Sequence, residues 1–231
     1  MSSIAVLGCM WGDEAKAKIV DFLGEDADVV VRFQGGSNAG HTIYLEGEKY
    51  VFHAVPSGIL YPKTKCVIAA GVVIDPLGLI AELDALIAKG LSFEGRLMID
   101  ERTGIVLPLH RELDSVNEAG FGKIGTTKRG IGPAYADLTA RVGVRMIDLK
   151  YPEWLAERIR NLYTFHHQSI DDAALAEQCR MLNTAWEMLQ SYVCQVDLEL
   201  HEMRKEGKCF LYEGAQGTLL DISFGTYAYV T

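Results

Sequence analysis

Two short stretches near the start of the chain hold the residues best suited to chemistry. Gly8-Cys9-Met10-Trp11-Gly12-Asp13-Glu14-Ala15-Lys16-Ala17-Lys18 sets two carboxylates beside two lysines, and Gln34-Gly35-Gly36-Ser37-Asn38-Ala39-Gly40-His41-Thr42 closes a glycine-rich loop with a histidine. Backbone N–H groups and lysines at a helix start attract phosphate. A carboxylate among them suggests a metal ligand or a proton acceptor. Ala15 and Ala17 stand where a phosphate loop would carry glycine. Each residue alone has a plainer reading: Asp13 as a helix N-terminal charge, Lys16 and Lys18 as a solvated helix face, His41 as a hydrogen-bonding residue at a strand start. Two glycine-rich strand-end loops early in an α/β sheet can converge over one crevice. That convergence favours functional readings of Asp13, His41 and Lys16 and leaves Lys18 open.

The elements that must hold these residues follow from periodicity. Ile4-Ala5-Val6-Leu7 reads as a buried strand leading through the first loop into a helix containing Ile19 to Leu23. Val29 to Phe33 is a second strand, and Ile43–Leu45 with Tyr50–Phe52 forms a hairpin around Glu46-Gly47-Glu48-Lys49. Val67 to Gly71 and Leu97 to Asp100 are further strands. Between them a helix opens at Pro76, behind Asp75 as N-cap, with Leu77, Ile80, Leu83, Leu86 and Ile87 on one face. Residues 120–145 are rich in Gly, Thr and Arg and read as an ordered functional loop. From Pro152 to about Lys205 the pattern is helical, with Trp186, Met188 and Tyr192 as core packing, and Cys209 to Tyr212 resumes the sheet. The alternation predicts one α/β domain over 1–231, P-loop-NTPase-like, with a mostly parallel sheet, flanking helices and a helical excursion at about 150–206.

Composition narrows the function. The 231 residues are 49% hydrophobic and 23% charged, which is ordinary globular composition. A net charge of −9 argues against a general nucleic-acid binder but not against a small nucleotide. Five scattered cysteines without a C-x-x-C pair read as free thiols of a reducing cytosol. Without a basic leader or a membrane-length apolar run, a cytoplasmic protein is expected. His53, His110, His166, His167 and His201 take structural roles. The apolar, aromatic end from Gly225 to Thr231 falls just after a strand–loop unit restarts, so the sheet is expected to be incomplete there and the chain to be the N-terminal part of something longer.

Four segments together resemble adenylosuccinate synthetase, a GTP-dependent purine enzyme: Trp11-Gly12-Asp13-Glu14-x-Lys16-x-Lys18, Gln34-Gly35-Gly36-x-Asn38-Ala39-Gly40-His41-Thr42, Gly125-Thr126-Thr127-x-Arg129-Gly130-Ile131-Gly132-Pro133-Ala134-Tyr135, and Glu213-Gly214-Ala215-Gln216-Gly217-Thr218-Leu219-Leu220-Asp221-Ile222. Pro56-Ser57-Gly58-Ile59-Leu60 adds a fifth, and the match runs in order along the whole chain. The resemblance implies a ligase that joins IMP and L-aspartate through 6-phosphoryl-IMP in de novo AMP synthesis. It implies catalytic roles for three residues: Asp13 as the base at N1 of IMP, His41 as the acid partner on the transferring phosphoryl group, and Lys16 beside that group. GTP contacts are implied at Gly12, Asp13, Glu14, Ala15, Lys16, Ala17, Lys18, His41 and Thr42. IMP contacts are implied at Asp13, Asn38, Ala39, Gly40, His41, Thr127, Gln216 and Thr231, with Arg141 reaching IMP across a homodimer. Mg²⁺ would sit on Asp13 and the Gly40 carbonyl.

The chain departs from the family's pattern at Met10, Ala15, Ala17, Ser37, Lys128 and Ser223-Phe224. If Ala15 and Ala17 have helical backbone, alanine favours the helix by roughly 1 kcal/mol each over glycine. If φ is positive there, each methyl obstructs, and GTP binding is expected to be weakened with the fold intact. The family's guanine-reading segment and arginine-rich aspartate loop lie downstream of Thr231, so the piece alone is expected to be inactive. Two other readings are a divergent ligase for another purine nucleotide, such as the phage enzymes acting on guanine deoxynucleotides, and a nucleotide-binding relative without catalysis. Retention of Asp13 argues against the first.

Overall fold

The computed structural model describes residues 3–38, 40–45, 47–119 and 125–231. Ala39, the Glu46 position of the hairpin turn and residues 120–124 of the glycine-rich middle lie outside the described residues. In chain order the elements are β1 (Ser3–Gly8), α1 (Lys16–Gly24), β2 (Val29–Arg32), β3 (His41–Leu45), β4 (Glu48–Phe52), β5 (Lys65–Ile68), β6 (Val73–Ile74), α2 (Pro76–Ile87), β7 (Leu97–Asp100), β8 (Gly104–Ile105), α3 (Pro108–Ala119), α4 (Ile131–Thr139), α5 (Pro152–Phe165), α6 (Asp172–Leu189), β9 (Val193–Cys194), α7 (Val196–Lys205) and β10 (Phe210–Gly217).

The main sheet has six strands in the order β1-β10-β2-β5-β7-β9, and every neighbouring pair is parallel. Its inner strands are apolar on both faces because helices and the hairpin cover both sides. Val29, Val30 and Val31 of β2 are all buried, as are Cys66, Val67 and Ile68 of β5. The last strand in sequence, β10, inserts between the first two, so β1 and β2 are separated by a strand formed some 180 residues later in the chain. β3 and β4 pair as the antiparallel hairpin expected from their patterning.

Two readings of the helical segments change. In α2 the buried positions are Pro76, Leu79, Leu83 and Leu86, whereas Leu77 and Ile87 are exposed. The apolar stripe is therefore rotated by part of a turn, because a helix opening at Pro76 with Asp75 accepting from Leu77 N (3.2 Å) fixes the phase from its first residue. In α6, Trp186 packs against the core, as does Tyr192 of the short turn that follows, but Met188 is exposed. The helical excursion is also interrupted, since Val193 and Cys194 pair with Ile99 and Asp100 of β7 to form the sheet's far edge. The glycine-rich middle is partly helical: α4 begins at Ile131, directly after Gly130 in a left-handed conformation.

Candidate functional site

The C-terminal ends of β1, β10 and β2 lie side by side, and the C-terminal end of the strands is the usual side for a ligand in an open parallel sheet. The register of β10 against β1 jumps there: Val6 faces Glu213, but Gly8 faces Gly217. Three residues, Gly214, Ala215 and Gln216, stand there against Leu7 alone, a bulge of two extra residues in β10. That loop lies directly on the strand. Gly12 has φ +97°, and a Cβ on it would sit 2.9 Å from Gly217 N. A Cβ on Gly217 would press on Met10 O and Gly12 N. Glycine at both positions lets two backbones meet without side chains between them.

Inside the loop, Glu14 accepts the Met10 N–H through its carboxylate. Partial desolvation raises the Glu14 pKa, but hydrogen bonds from backbone N–H groups and the Lys16 charge outweigh it and leave the carboxyl below its usual range. Lys16 is buried, and its Nζ donates to Gly12 O at 2.7 Å. Burial lowers the Lys16 pKa, opposed by Glu14, Glu213 and Asp13. The helix behind it has no side-chain cap, because its N-cap is Ala15. The first N–H groups of α1 are thus left for a ligand, which is the arrangement that suits phosphate. Ala15 has φ 61° and ψ 39°, the left-handed conformation, whereas Ala17 is helical and buried. The two alanines are therefore not equivalent: only Ala15 carries the strain glycine would remove.

Beneath these loops Glu213 is fully buried, opposite Arg32 of β2 in register. One carboxylate oxygen pairs with His41 Nδ1; the other accepts from Ser57 N (3.1 Å) and Ser57 Oγ (3.2 Å). Burial raises the Glu213 pKa, but the His41 contact, Arg32 and the Ser57 N–H more than offset this and hold the carboxyl below its usual range. Arg32, also fully buried, donates to His53 O and to Gly36 O (3.4 Å), tying the second glycine-rich loop to the sheet. Four polar side-chain atoms of these stretches are buried with no hydrogen-bond partner: Arg32 Nε, Asn38 Oδ1, His41 Nε2 and Gln216 Nε2. Asn38, His41 and Gln216 belong to motifs singled out by sequence, and orphaned buried polar atoms call for a polar ligand.

A cleft of about 1240 Å³ opens beside Gln216, lined also by Gly8, Phe33, Gln34, Tyr135, Thr218 and Thr231 among others. Tyr135 of α4 closes one side: its hydroxyl accepts from Gly35 N (2.8 Å) and donates to Gly71 O (2.7 Å). Arg129 donates to Ser37 O, which joins the third motif to the second. Of the other expected site residues, Asp13, Lys18, Gly40, Thr42 and Thr127 are exposed. Arg141 is exposed in a left-handed turn after α4, next to Thr139 and Ala140, which line the cleft.

Glu213, Ser57 and Arg32 were given no role by sequence, although each stood in or beside a motif. Their signal was a charged or polar residue at the end of an apolar strand or turn. Among the described residues there is no group of three or more His, Cys, Asp or Glu placed to hold a metal, and no helix is long and apolar enough to cross a membrane.

A family model described as adenylosuccinate synthetase matches residues 5–231. The chain belongs to the adenylosuccinate synthetase family. It is 47% identical to the adenylosuccinate synthetase of Thermodesulfovibrio yellowstonii and 48% identical to that of Heliobacterium modesticaldum, each match covering all of this chain and 56% of the relative. The chain thus spans about half the length of the curated relatives it matches. Among solved structures, the fully ligated adenylosuccinate synthetase from Plasmodium falciparum superposes with a TM-score of 0.89 at 35% identity, over 99% of this chain and 55% of that one. The cyanophage S-2L succinoaminodeoxyadenylate synthetase, bound to dGMP and dATP, shares the fold with a TM-score of 0.63 at 24% identity, over 100% of this chain and 55% of that one.

Proposed function

We propose that this chain supplies the IMP- and phosphate-binding part of a GTP-dependent ligase that forms adenylosuccinate from IMP and L-aspartate in AMP synthesis. The observation that carries the proposal is that Asn38 Oδ1, His41 Nε2 and Gln216 Nε2, from the second and fourth motifs, are all buried and unpartnered, together with an uncapped helix start bearing a buried lysine. A purine base offers donors and acceptors for the first group, and a phosphate chain suits the second.

In this reading Asp13 takes the N1 proton of IMP so that O6 becomes nucleophilic enough to attack the γ-phosphorus of GTP. Lys16 and the first N–H groups of α1 neutralise charge on the transferring phosphoryl group, and His41 Nε2 contacts its oxygens. The amine of L-aspartate then displaces phosphate from C6. GTP lies along Gly12 to Lys18 and reaches His41 and Thr42. IMP lies against Asn38, Ala39, Gly40, Thr127, Gln216 and Thr231. Arg141, exposed beside the cleft, serves the IMP of a second copy in a homodimer.

The donor set fits Mg²⁺, which takes one or two protein oxygens and fills its remaining sites with water and substrate phosphate. Asp13 and the Gly40 carbonyl, both on exposed loop positions, would hold it. Bound there, it would supply charge neutralisation for the phosphate chain. Free cysteines at Cys9, Cys66, Cys179 and Cys194 fit a reducing, cytoplasmic setting.

Titration calorimetry of the 231-residue chain tests this. IMP should bind in preference to GMP, and the chain alone should form no adenylosuccinate when L-aspartate, GTP and Mg²⁺ are added. Equal heats for IMP and GMP, or ligase turnover by the chain alone, would contradict the proposal.

A further inference from the structure

We propose that Glu213 is a positioning residue: it holds His41 with Nδ1 as the protonated nitrogen, so that Nε2 faces the nucleotide. The inference deepens the ligase reading above and rests on it.

The geometry leaves the ring little choice. Nδ1 faces a carboxylate oxygen of Glu213, and neither atom is accessible to water, since His41 is 6% and Glu213 0% exposed. A deprotonated carboxylate only accepts hydrogen bonds, so Nδ1 must carry the proton. The carboxylate is in turn fixed by Ser57 N and Ser57 Oγ on its second oxygen, both within a buried turn. It is thereby held at both ends, and the imidazole cannot rotate without breaking a charge-assisted hydrogen bond in a dry site. Nε2 is then left as the buried nitrogen with no partner in the protein. A ring nitrogen nine-tenths buried and unpaired is costly unless a ligand atom completes it.

The arrangement also explains why an acidic residue stands in the middle of a largely buried strand. Phe210 and Leu211 of β10 are buried in the core, and the next position facing the crevice carries the carboxylate. Arg32, opposite on β2, supplies the positive neighbour that keeps the buried carboxylate charged. The dyad therefore draws one partner from the second motif and one from the fourth, separated by 172 residues in the chain. This is the histidine–carboxylate logic in which one ring nitrogen is tied down so that the other acts.

The test reads the ring directly. In the 231-residue chain labelled with ¹⁵N histidine, His41 should show a protonated Nδ1, and its Nε2 resonance should move when IMP, GTP and Mg²⁺ are added together. Glu213→Gln keeps a carbonyl acceptor and should retain the Nδ1 proton. Glu213→Leu should lose the Nδ1 preference and the nucleotide response of Nε2, with His110 resonances unchanged as the sign of an intact fold. Should Glu213→Leu fail to fold, Ser57→Ala removes only the hydroxyl contact and must still move the Nδ1 resonance. A wild-type ring protonated on Nε2 alone, or an Nδ1 signal indifferent to Glu213→Leu or Ser57→Ala, would overturn the assignment of Glu213 even if IMP binds. A ring with Nδ1 protonated that ignores the nucleotides would instead sink the ligase reading and, with it, the role of Nε2.

Discussion

Ala15 and Ala17 differ from each other in a way that a pair of substitutions can measure. Ala15 sits at φ 61°, ψ 39°. An L-residue in the left-handed region costs about 1–2 kcal/mol, a cost glycine does not carry. Glycine also loosens the unfolded chain, by about 0.4–1 kcal/mol. Ala15→Gly should therefore stabilise the protein by about 0.5–1 kcal/mol, the difference between those two effects. Ala17 is helical and buried, so Ala17→Gly should forfeit about 1 kcal/mol of helix propensity and about 0.8 kcal/mol for the buried methyl. On a chain of this size each kcal/mol shifts the thermal midpoint by about 2–4 °C. Thermal unfolding should then move up by about 1–4 °C for Ala15→Gly and down by about 4–8 °C for Ala17→Gly. Calorimetry should find tighter GTP binding only in the first variant. A destabilised Ala15→Gly protein, or a stabilised Ala17→Gly protein, would refute the assignment of strain to position 15.

Three further outcomes follow from contacts already described. Gly217→Ala puts a methyl group against Met10 O and Gly12 N, so it should displace the first loop at a cost of about 1–3 kcal/mol and weaken GTP and IMP binding together. Unchanged binding by calorimetry would show that the loop does not depend on that close approach. Asp137, buried between His110 Nε2 (3.0 Å) and His166 Nε2 (2.9 Å), has its pKa raised by burial but lowered further by those two hydrogen bonds. Its stabilisation is fully present above the ordinary value of 3.8 and is lost as pH falls through its lower folded value. Asp137→Asn should therefore cost about 1.5–3 kcal/mol at pH 7 and about the same at pH 5, read from denaturant midpoints; a gap that closes between those two pH values would contradict the assignment. Lys16→Ala should lower ligase turnover by about 10²–10³ once the rest of the enzyme is supplied, with IMP affinity little changed. A proportionate loss of IMP affinity would move Lys16 from the phosphoryl group to the IMP site.

The elements were legible wherever periodicity was strong. The hairpin from His41 to Phe52, the helix behind Asp75 and the strand from Leu97 to Asp100 all follow from local pattern and cap chemistry. Local pattern could not give the insertion of β10 between β1 and β2, because that pairing joins residues far apart in the chain. The site was legible as motifs and not as contacts. His41 was identifiable from its glycine-rich loop, but its partner Glu213 was not, since only the folded sheet brings the two together. The same limit applied to Ala15 and Ala17, which look alike in sequence and have different backbone conformations. The phase of α2 is not legible in the sequence, because Leu77 and Ile87 are apolar yet face outward, and apolar residues on a surface carry no periodic mark of their own.

The most direct test of the central claim joins this chain to the remaining C-terminal portion of the Thermodesulfovibrio yellowstonii relative and follows adenylosuccinate formation from IMP, L-aspartate and GTP. The joined protein should turn over with Mg²⁺ present. The same protein carrying Asp13→Asn should bind IMP and lose activity by about 10²–10⁴, the range for removal of a general base. No product from the joined protein, or an undiminished rate with Asp13→Asn, would contradict the account.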